Sequence, residues 1–291
     1  MPFIRTAVCT FYIAATTVLA AQSSTLEKVL DVRAPIGISA AGNGAYFIAT
    51  HDGTILEYKS NKGSLRYDRQ CVLPPFFYPI DITGSQDGNG SPLAFVVAWS
   101  SVIKKGMIAR CAESGSSMTI LTILTNDVPA GIAYSPSNSS LYYMRTRESE
   151  LRQIGLDLKN DRYIAQLPSV LRPGAVAVSP DARYLFVADI NDHKIVQIEL
   201  QRLGRSHIVV NAIGYPSAIS YNATTGIIYV ADFSGRQVIP VNVQTANIHR
   251  LPPLRSSLFK GIEGLAPGPT GGLLIADNDA NAVFLCADLQ P

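Results

Sequence analysis

The side chains with most capacity for chemistry in this 291-residue chain are dispersed acids. Glu263 and Asp81 stand at nearly corresponding places in two similar stretches, Ile262-Glu263-Gly264 and Ile80-Asp81-Ile82. A carboxylate at such a place can bind a cation, polarise a substrate or act as a base towards a metal-bound water. It can equally accept hydrogen bonds from neighbouring backbone. Asp189, Asp232 and Asp277 each close an apolar run, Tyr184 to Ala188, Ile227 to Ala231 and Leu273 to Ala276. They read either as a ring of acids around an entrance or as short acceptors that shape the following turn. Three related runs carry Thr50, Trp99 and Arg145 at that place instead.

Other chemistries lack their residues. There is no Gly-x-Ser-x-Gly, no Cys-x-x-Cys and no phosphate-cradling glycine loop before a helix. The four histidines, His51, His193, His207 and His249, show no metal-ligand spacing. Asp87-Gly88-Asn89-Gly90 lacks the repeated acids and distal glutamate of a calcium loop and reads as a hairpin loop. Asn89, Asn138 and Asn222 open glycosylation sequons, about as many as chance provides.

The elements that position the acids form a repeat. Lead-ins beginning at Pro35, Pro79, Pro129, Pro173, Pro216 and Ile262 are each followed by a strand-like apolar run. They recur at intervals of 44, 50, 44, 43 and 46 residues. Each full unit holds four short runs rich in Val, Ile and Tyr, separated by Gly, Asn, Asp or Pro, and no stretch keeps a helical period. A period in the forties with four strands per unit predicts a propeller blade. The sixth unit stops short of a fourth strand, while Thr25 to Leu30 is a spare strand before the first lead-in. The sequence therefore predicts an all-β, six-bladed β-propeller closed by an N-terminal strand in the last blade, which removes an open sheet edge.

The motif Pro-x-Gly-[Ile/Val]-[Ala/Ser] followed by Tyr-[Val/Ile]-Ala-Asp resembles the NHL-repeat proteins and the related gluconolactonase (senescence-marker) propellers, over the whole chain after residue 20. The resemblance implies fold more than activity. Gluconolactonase-like enzymes hold a divalent metal with a Glu, two Asn and an Asp. Here Gly174 and Ser217 stand where Asn or Asp would be wanted, Glu263 matches in type, and Asp81 is one place out of step. A metal-dependent lactone or ester hydrolase with an altered site, using Glu263 and Asp81 and a divalent cation (Ca or Zn) in the channel, is the alternative expectation. No other cofactor is implied.

In a propeller the first strand of each blade lines the channel, and its start opens on the face of the turns between second and third strands. His51, Trp99, Arg145, Arg147, Asp189, Asp232, Phe233 and Asp277 then share one rim. Trp and Arg are common anchors in binding sites, although ordinary exposed turn residues would give the same pattern. The primary expectation is a binding module engaging a small molecule, glycan or protein at this channel-mouth face, as a monomer.

Composition agrees. Apolar residues make up 47% and charged residues 16%, enough for a large core. The net charge of +2 supplies no attraction to nucleic acid, and no later stretch is long enough to span a bilayer. Residues 1–20, with Arg5 before the apolar run Thr6 to Ala20, read as a secretory signal peptide. That leaves 21–291 as the propeller domain, secreted or periplasmic. Cleavage after Ala20 leaves Cys71, Cys111 and Cys286. Cys71–Cys111 is the favoured pair because they fall in adjacent repeats, with three buried thiols the alternative.

Overall fold

The computed structural model describes residues 26–114, 117–203, 205–243, 248–269 and 271–287, so the expected signal peptide lies outside the described residues. The first strand, β1 (Leu26–Asp31), does not pair with the next strand in the chain. Blade 1 is β2 (Pro35–Gly42), β3 (Ala45–Thr50), β4 (Thr54–Asn61) and β5 (Ser64–Val72). Blade 2 is β6 (Tyr78–Gln86), β7 (Pro92–Ser100), β8 (Lys105–Ser114) and β9 (Ser117–Thr125). Blade 3 is β10 (Pro129–Ser135), β11 (Ser140–Arg145), β12 (Glu150–Gly155) and β13 (Arg162–Gln166). Blade 4 is β14 (Pro173–Val178), β15 (Tyr184–Asp189), β16 (Lys194–Glu199) and β17 (Ser206–Val210).

Blade 5 holds β18 (Pro216–Asn222), β19 (Ile227–Asp232) and β20 (Gln237–Asn242). Its fourth strand is split into β21 (His249–Arg250) and β22 (Leu254–Arg255), both paired with β20. Pro252 and Pro253 fall in the gap; proline has no N–H to give a ladder. Blade 6 is β23 (Ile262–Pro267), β24 (Leu273–Asp277) and β25 (Ala282–Cys286), and its outer strand is β1, antiparallel to β25 with Leu26 opposite Cys286. The predicted closure is present. Ala34 N–H, just past β1, also donates to Asn281 Oδ1 at 2.8 Å, tying the two ends of the chain together.

The six inner strands neighbour one another in a closed circuit around the channel. Gly131 and Gly264 show why small residues are needed there. A Cβ on Gly131 would lie 2.5 Å from the Gly174 carbonyl oxygen, and one on Gly264 would lie 2.7 Å from Ile38 N. The glycine of the lead-in motif thus marks where backbones of adjacent blades meet.

Apolar burial lies between blades. Each seam has its own cluster, and the second strands contribute to the clusters on both of their sides. Burial on both faces explains why β3, β7 and β19 read as unbroken apolar runs, not alternating ones. The seam between blades 1 and 2 is also crossed by the disulfide Cys71–Cys111, whereas Cys286 is buried in blade 6.

Candidate functional site

Asp81 and Glu263 come together at the mouth end of the channel. Both line a cavity of about 130 Å³ with Ile36, Ile80, Tyr215 and Ser217. A second cavity of about 240 Å³ continues down the channel from Asp81, walled by inner strands of all six blades.

The acids differ in what holds them. Asp81 Oδ1 accepts Ile82 N–H at 2.8 Å, and Oδ2 accepts Ile132 N–H of the next blade at 3.0 Å. The same device recurs in the channel wall: Ser39 Oγ accepts Gly84 N–H, Thr83 Oγ1 accepts Tyr134 N–H, and Ser217 Oγ donates to the Ile262 carbonyl. Small polar side chains of one inner strand tie it to the next. Burial pushes the Asp81 carboxyl up to about 7, against the pull of its two N–H donors. Burial likewise pushes Glu263 up to about 7; Asp279 and Asp277 add to the rise and a hydrogen bond with Asn278 opposes it.

This donor set does not fit a divalent cation. Calcium asks for six to eight oxygens and zinc for about four ligands in a tetrahedron. Here both Asp81 oxygens take backbone N–H groups and the Ser217 hydroxyl faces a carbonyl. That leaves one carboxylate, Glu263, too few oxygens for either ion.

The three recurring aspartates act inside turns. Asp189, Asp232 and Asp277 are buried. Asp277 accepts N–H bonds from Lys260 at 2.8 Å and from Gly261 and Ala280 at 2.9 Å. Asp189 serves Leu171, Arg172, Asn191 and Asp192, and Asp232 serves Tyr215 and Gly235 together with the Gln237 amide. Each carboxylate joins the turn after its own strand to the loop leading into the inner strand. In blade 3, where Arg145 replaces the aspartate, the acid has moved: buried Asp127 accepts N–H bonds from Val128 and Arg147. In blade 1 Thr50 Oγ1 stands 2.7 Å from Asp52 Oδ1 and 3.0 Å from the Thr54 carbonyl, with one proton to donate to either.

The remaining rim residues divide. Arg145 is drawn into an ion pair with Glu150 at 2.8 Å and lies 3.8 Å from Asp127, so its charge is held within the blade. Arg147 is exposed. Exposed His51 lies against Tyr78, ring centroids 5.7 Å apart, and half-buried Trp99 is the cross-strand partner of the same Tyr78. Phe233 meets Tyr215 edge-on at 6.0 Å.

Sequence reading missed what surrounds these aromatics. Phe76, Tyr78, Ile80, Val102 and Ile103 of blade 2 and its approach loop are exposed, and Leu171, Tyr215 and Leu258 continue around the mouth. Phe76 is 60% exposed at a φ of +69°, a conformation bulky L-residues avoid. Phe77 N–H donates to the Pro74 carbonyl at 3.3 Å, closing a turn with Pro75 and Phe76 at its centre. The other exposed large apolar side chains sit on outer strands; among the described residues none lies in the loops of the opposite face.

Sequence reading also missed an acidic cluster remote from the channel. Carboxylate oxygens of Glu57, Asp68 and Glu113 lie within 4.8 Å of one another. Lys59 Nζ stands 3.8, 2.8 and 3.6 Å from them in turn, and Arg69 reaches Glu113 at 3.0 Å. The ammonium occupies the middle of the cluster, which thereby ties blade 1 to blade 2.

No protein-family model matches the chain. Solved structures do. A nidogen/laminin complex contains a chain similar over 82% of this one and 87% of its own length, at 15% identity and a TM-score of 0.65. Luciferin-regenerating enzyme is similar over 91% and 96%, at 14% identity and a TM-score of 0.69. An oxidoreductase (glucose dehydrogenase) from Thermus thermophilus is similar over 90% and 99%, at 12% identity and a TM-score of 0.67. Identities this low speak of fold alone, and these neighbours include both binding modules and enzymes. In fold the chain is a six-bladed β-propeller similar to the NHL-repeat and gluconolactonase-like proteins.

Proposed function

We propose that the protein is a secreted or periplasmic binding module that engages a protein partner through its channel-mouth face. The observation that carries this reading is the asymmetry of the two faces: exposed large apolar side chains in loops and turns gather at the mouth, and none lies in the described loops opposite. Apolar surface gathered on one face and rimmed by polar groups is a common mark of an interaction site. Phe76, Tyr78, Ile80 and Trp99 would form its centre, with His51, Arg147 and Phe233 at its edge. The apolar leader and the disulfide support an oxidising compartment.

The hydrolase alternative rests on Asp81 and Glu263, whose raised pKa values are those of workable general acids and bases. Against it stand the oxygens of Asp81, both of which already accept backbone N–H groups. Metal titration followed by a lactone and ester hydrolysis screen separates the two readings. The module reading expects no metal-dependent turnover in the wild type, and partner binding lost in Tyr78→Ser. Turnover abolished in Glu263→Ala would replace it with the enzyme.

A further inference from the structure

A second site lies away from the mouth. A cleft of about 610 Å³ opens between blades 4 and 5, lined among others by Asp181, Arg183, Tyr184, Gln197, His207 and Tyr221. Its base is a row of cross-strand partners. Phe186 of β15 pairs with Gln197 of β16, which pairs with His207 of β17. Residues directly opposite on adjacent strands point to one side of a sheet. That side faces blade 5, because Phe186 packs in the cluster shared with β18 to β20, and Tyr221 stacks on it at 5.9 Å between centroids, 24° from parallel.

Gln197 is 4% exposed, yet its Oε1 has no hydrogen-bond partner among the described residues. The corresponding places in two other blades each face an arginine across the strands. In blade 3 that place holds Gln153, whose Oε1 accepts Arg162 Nε–H at 2.8 Å from the fourth strand. In blade 1 it holds Glu57, charge-paired across the strands with Arg69 at 3.4 Å, although its carboxylate oxygens have no hydrogen-bond partner among the described residues. Blade 4 offers His207 instead of an arginine, and Gln197 Oε1 stays unmatched. A buried amide oxygen without a donor is costly, and a donor brought by a ligand would recover the loss. A half-turn of the amide presents its N–H₂ instead, so either end can serve.

The walls define the ligand. Tyr184 and Tyr221 give aromatic surface, with fully buried Phe186 stacked beneath Tyr221. Arg183, packed over the Tyr184 ring at 5.2 Å, and Asp181 cancel in charge. An anion would meet Asp181 and an orphan acceptor, and a cation would meet Arg183. A pyranose ring fits both demands, with a C–H face for the aromatics and hydroxyls for the amide, imidazole and carboxylate. The volume lies within the roughly 300 to 1,000 Å³ usual for small-ligand sites. We propose that the cleft between blades 4 and 5 binds a neutral saccharide, with Gln197 as its buried polar anchor. This site stands independently of the channel-mouth reading.

Saturation-transfer NMR on the full chain with methyl glycosides of glucose, galactose, mannose and N-acetylglucosamine, and with inorganic sulfate as the ionic probe, tests it. At least one glycoside should bind saturably in the millimolar range, with sulfate unable to compete. Gln197→Leu should weaken that binding at least about tenfold, one lost buried hydrogen bond, while keeping Tm or raising it. His207→Arg, which gives blade 4 the donor that Arg162 gives blade 3, should also abolish binding and raise Tm. Tyr78→Ser at the mouth should leave glycoside binding unchanged. No glycoside saturating below about 50 mM, sulfate competition, or wild-type binding in Gln197→Leu would each overturn the proposal.

Discussion

Replacing Asp277 by alanine separates a turn-shaping aspartate from a ligand-facing one. Its carboxylate is 0% exposed and accepts three backbone N–H groups, from Lys260, Gly261 and Ala280, at 2.8 to 2.9 Å. Hydrogen bonds to a charged acceptor contribute about 1.5 to 3 kcal/mol each, and donors left buried cost about 1 to 3 kcal/mol. Water can enter the vacated space and restore part of this, so about 1 kcal/mol per donor is a conservative figure. The expected loss is about 3 kcal/mol, or about 6 to 12 °C in Tm for a domain of this size. Thermal unfolding followed by circular dichroism, with urea unfolding as a second measure, reads it. Asp277→Asn keeps one acceptor and should fall between alanine and wild type. A Tm shift under about 2 °C in Asp277→Ala would refute the reasoning, because an acid held for a ligand is relieved by its own removal.

Three further outcomes are expected from the geometry. Gly131→Ala places a Cβ 2.5 Å from the Gly174 carbonyl and should destabilise by about 1 to 3 kcal/mol, measured by urea unfolding, whereas Gly88→Ala, with open space around it, should not. Cys71→Ser with Cys111→Ser opens a link across a sequence separation of 40 residues and should cost about 4 kcal/mol if the unfolded chain is free. Asp81 and Glu263 titrate near 7 when folded and near the ordinary carboxyl range when unfolded, so the unfolded chain holds fewer protons between about pH 4 and 7. Their contribution is therefore fully present below about pH 4 and is lost as pH rises through 7, and Tm against pH should fall less steeply in Asp81→Asn.

Much of the ring was legible because hydropathy and turn residues repeat. The lead-ins locate the inner strands, and the missing fourth strand of the last unit, set beside spare residues before Pro35, locates β1. The double meaning of Asp189, Asp232 and Asp277 was also visible, and the structure buries all three carboxylates in hydrogen bonds to their turns. Contacts that depend on register were not legible. Gln153, Gln197 and Glu57 look like unrelated polar residues until pairing places Arg162, His207 and Arg69 opposite them. Arg145 reads as a free rim charge because Glu150 comes to it across the β11–β12 pairing and Asp127 from the loop before β10. The exposure of Phe76 depends on a backbone conformation that Pro74-Pro75-Phe76-Phe77 does not announce.

The most direct measurement of the channel-mouth assignment is paired photo-cross-linking. A photoreactive residue is placed at Tyr78 on the mouth, or at Asn138 in the β10–β11 turn of the opposite face, and the full chain is incubated with extracellular fluid of its source. The account predicts one discrete adduct from position 78, absent from position 138, displaced by excess wild-type protein and lost when Phe76→Ser and Ile80→Ser are combined. Equal adducts from both positions, or an adduct from position 138 alone, would contradict it.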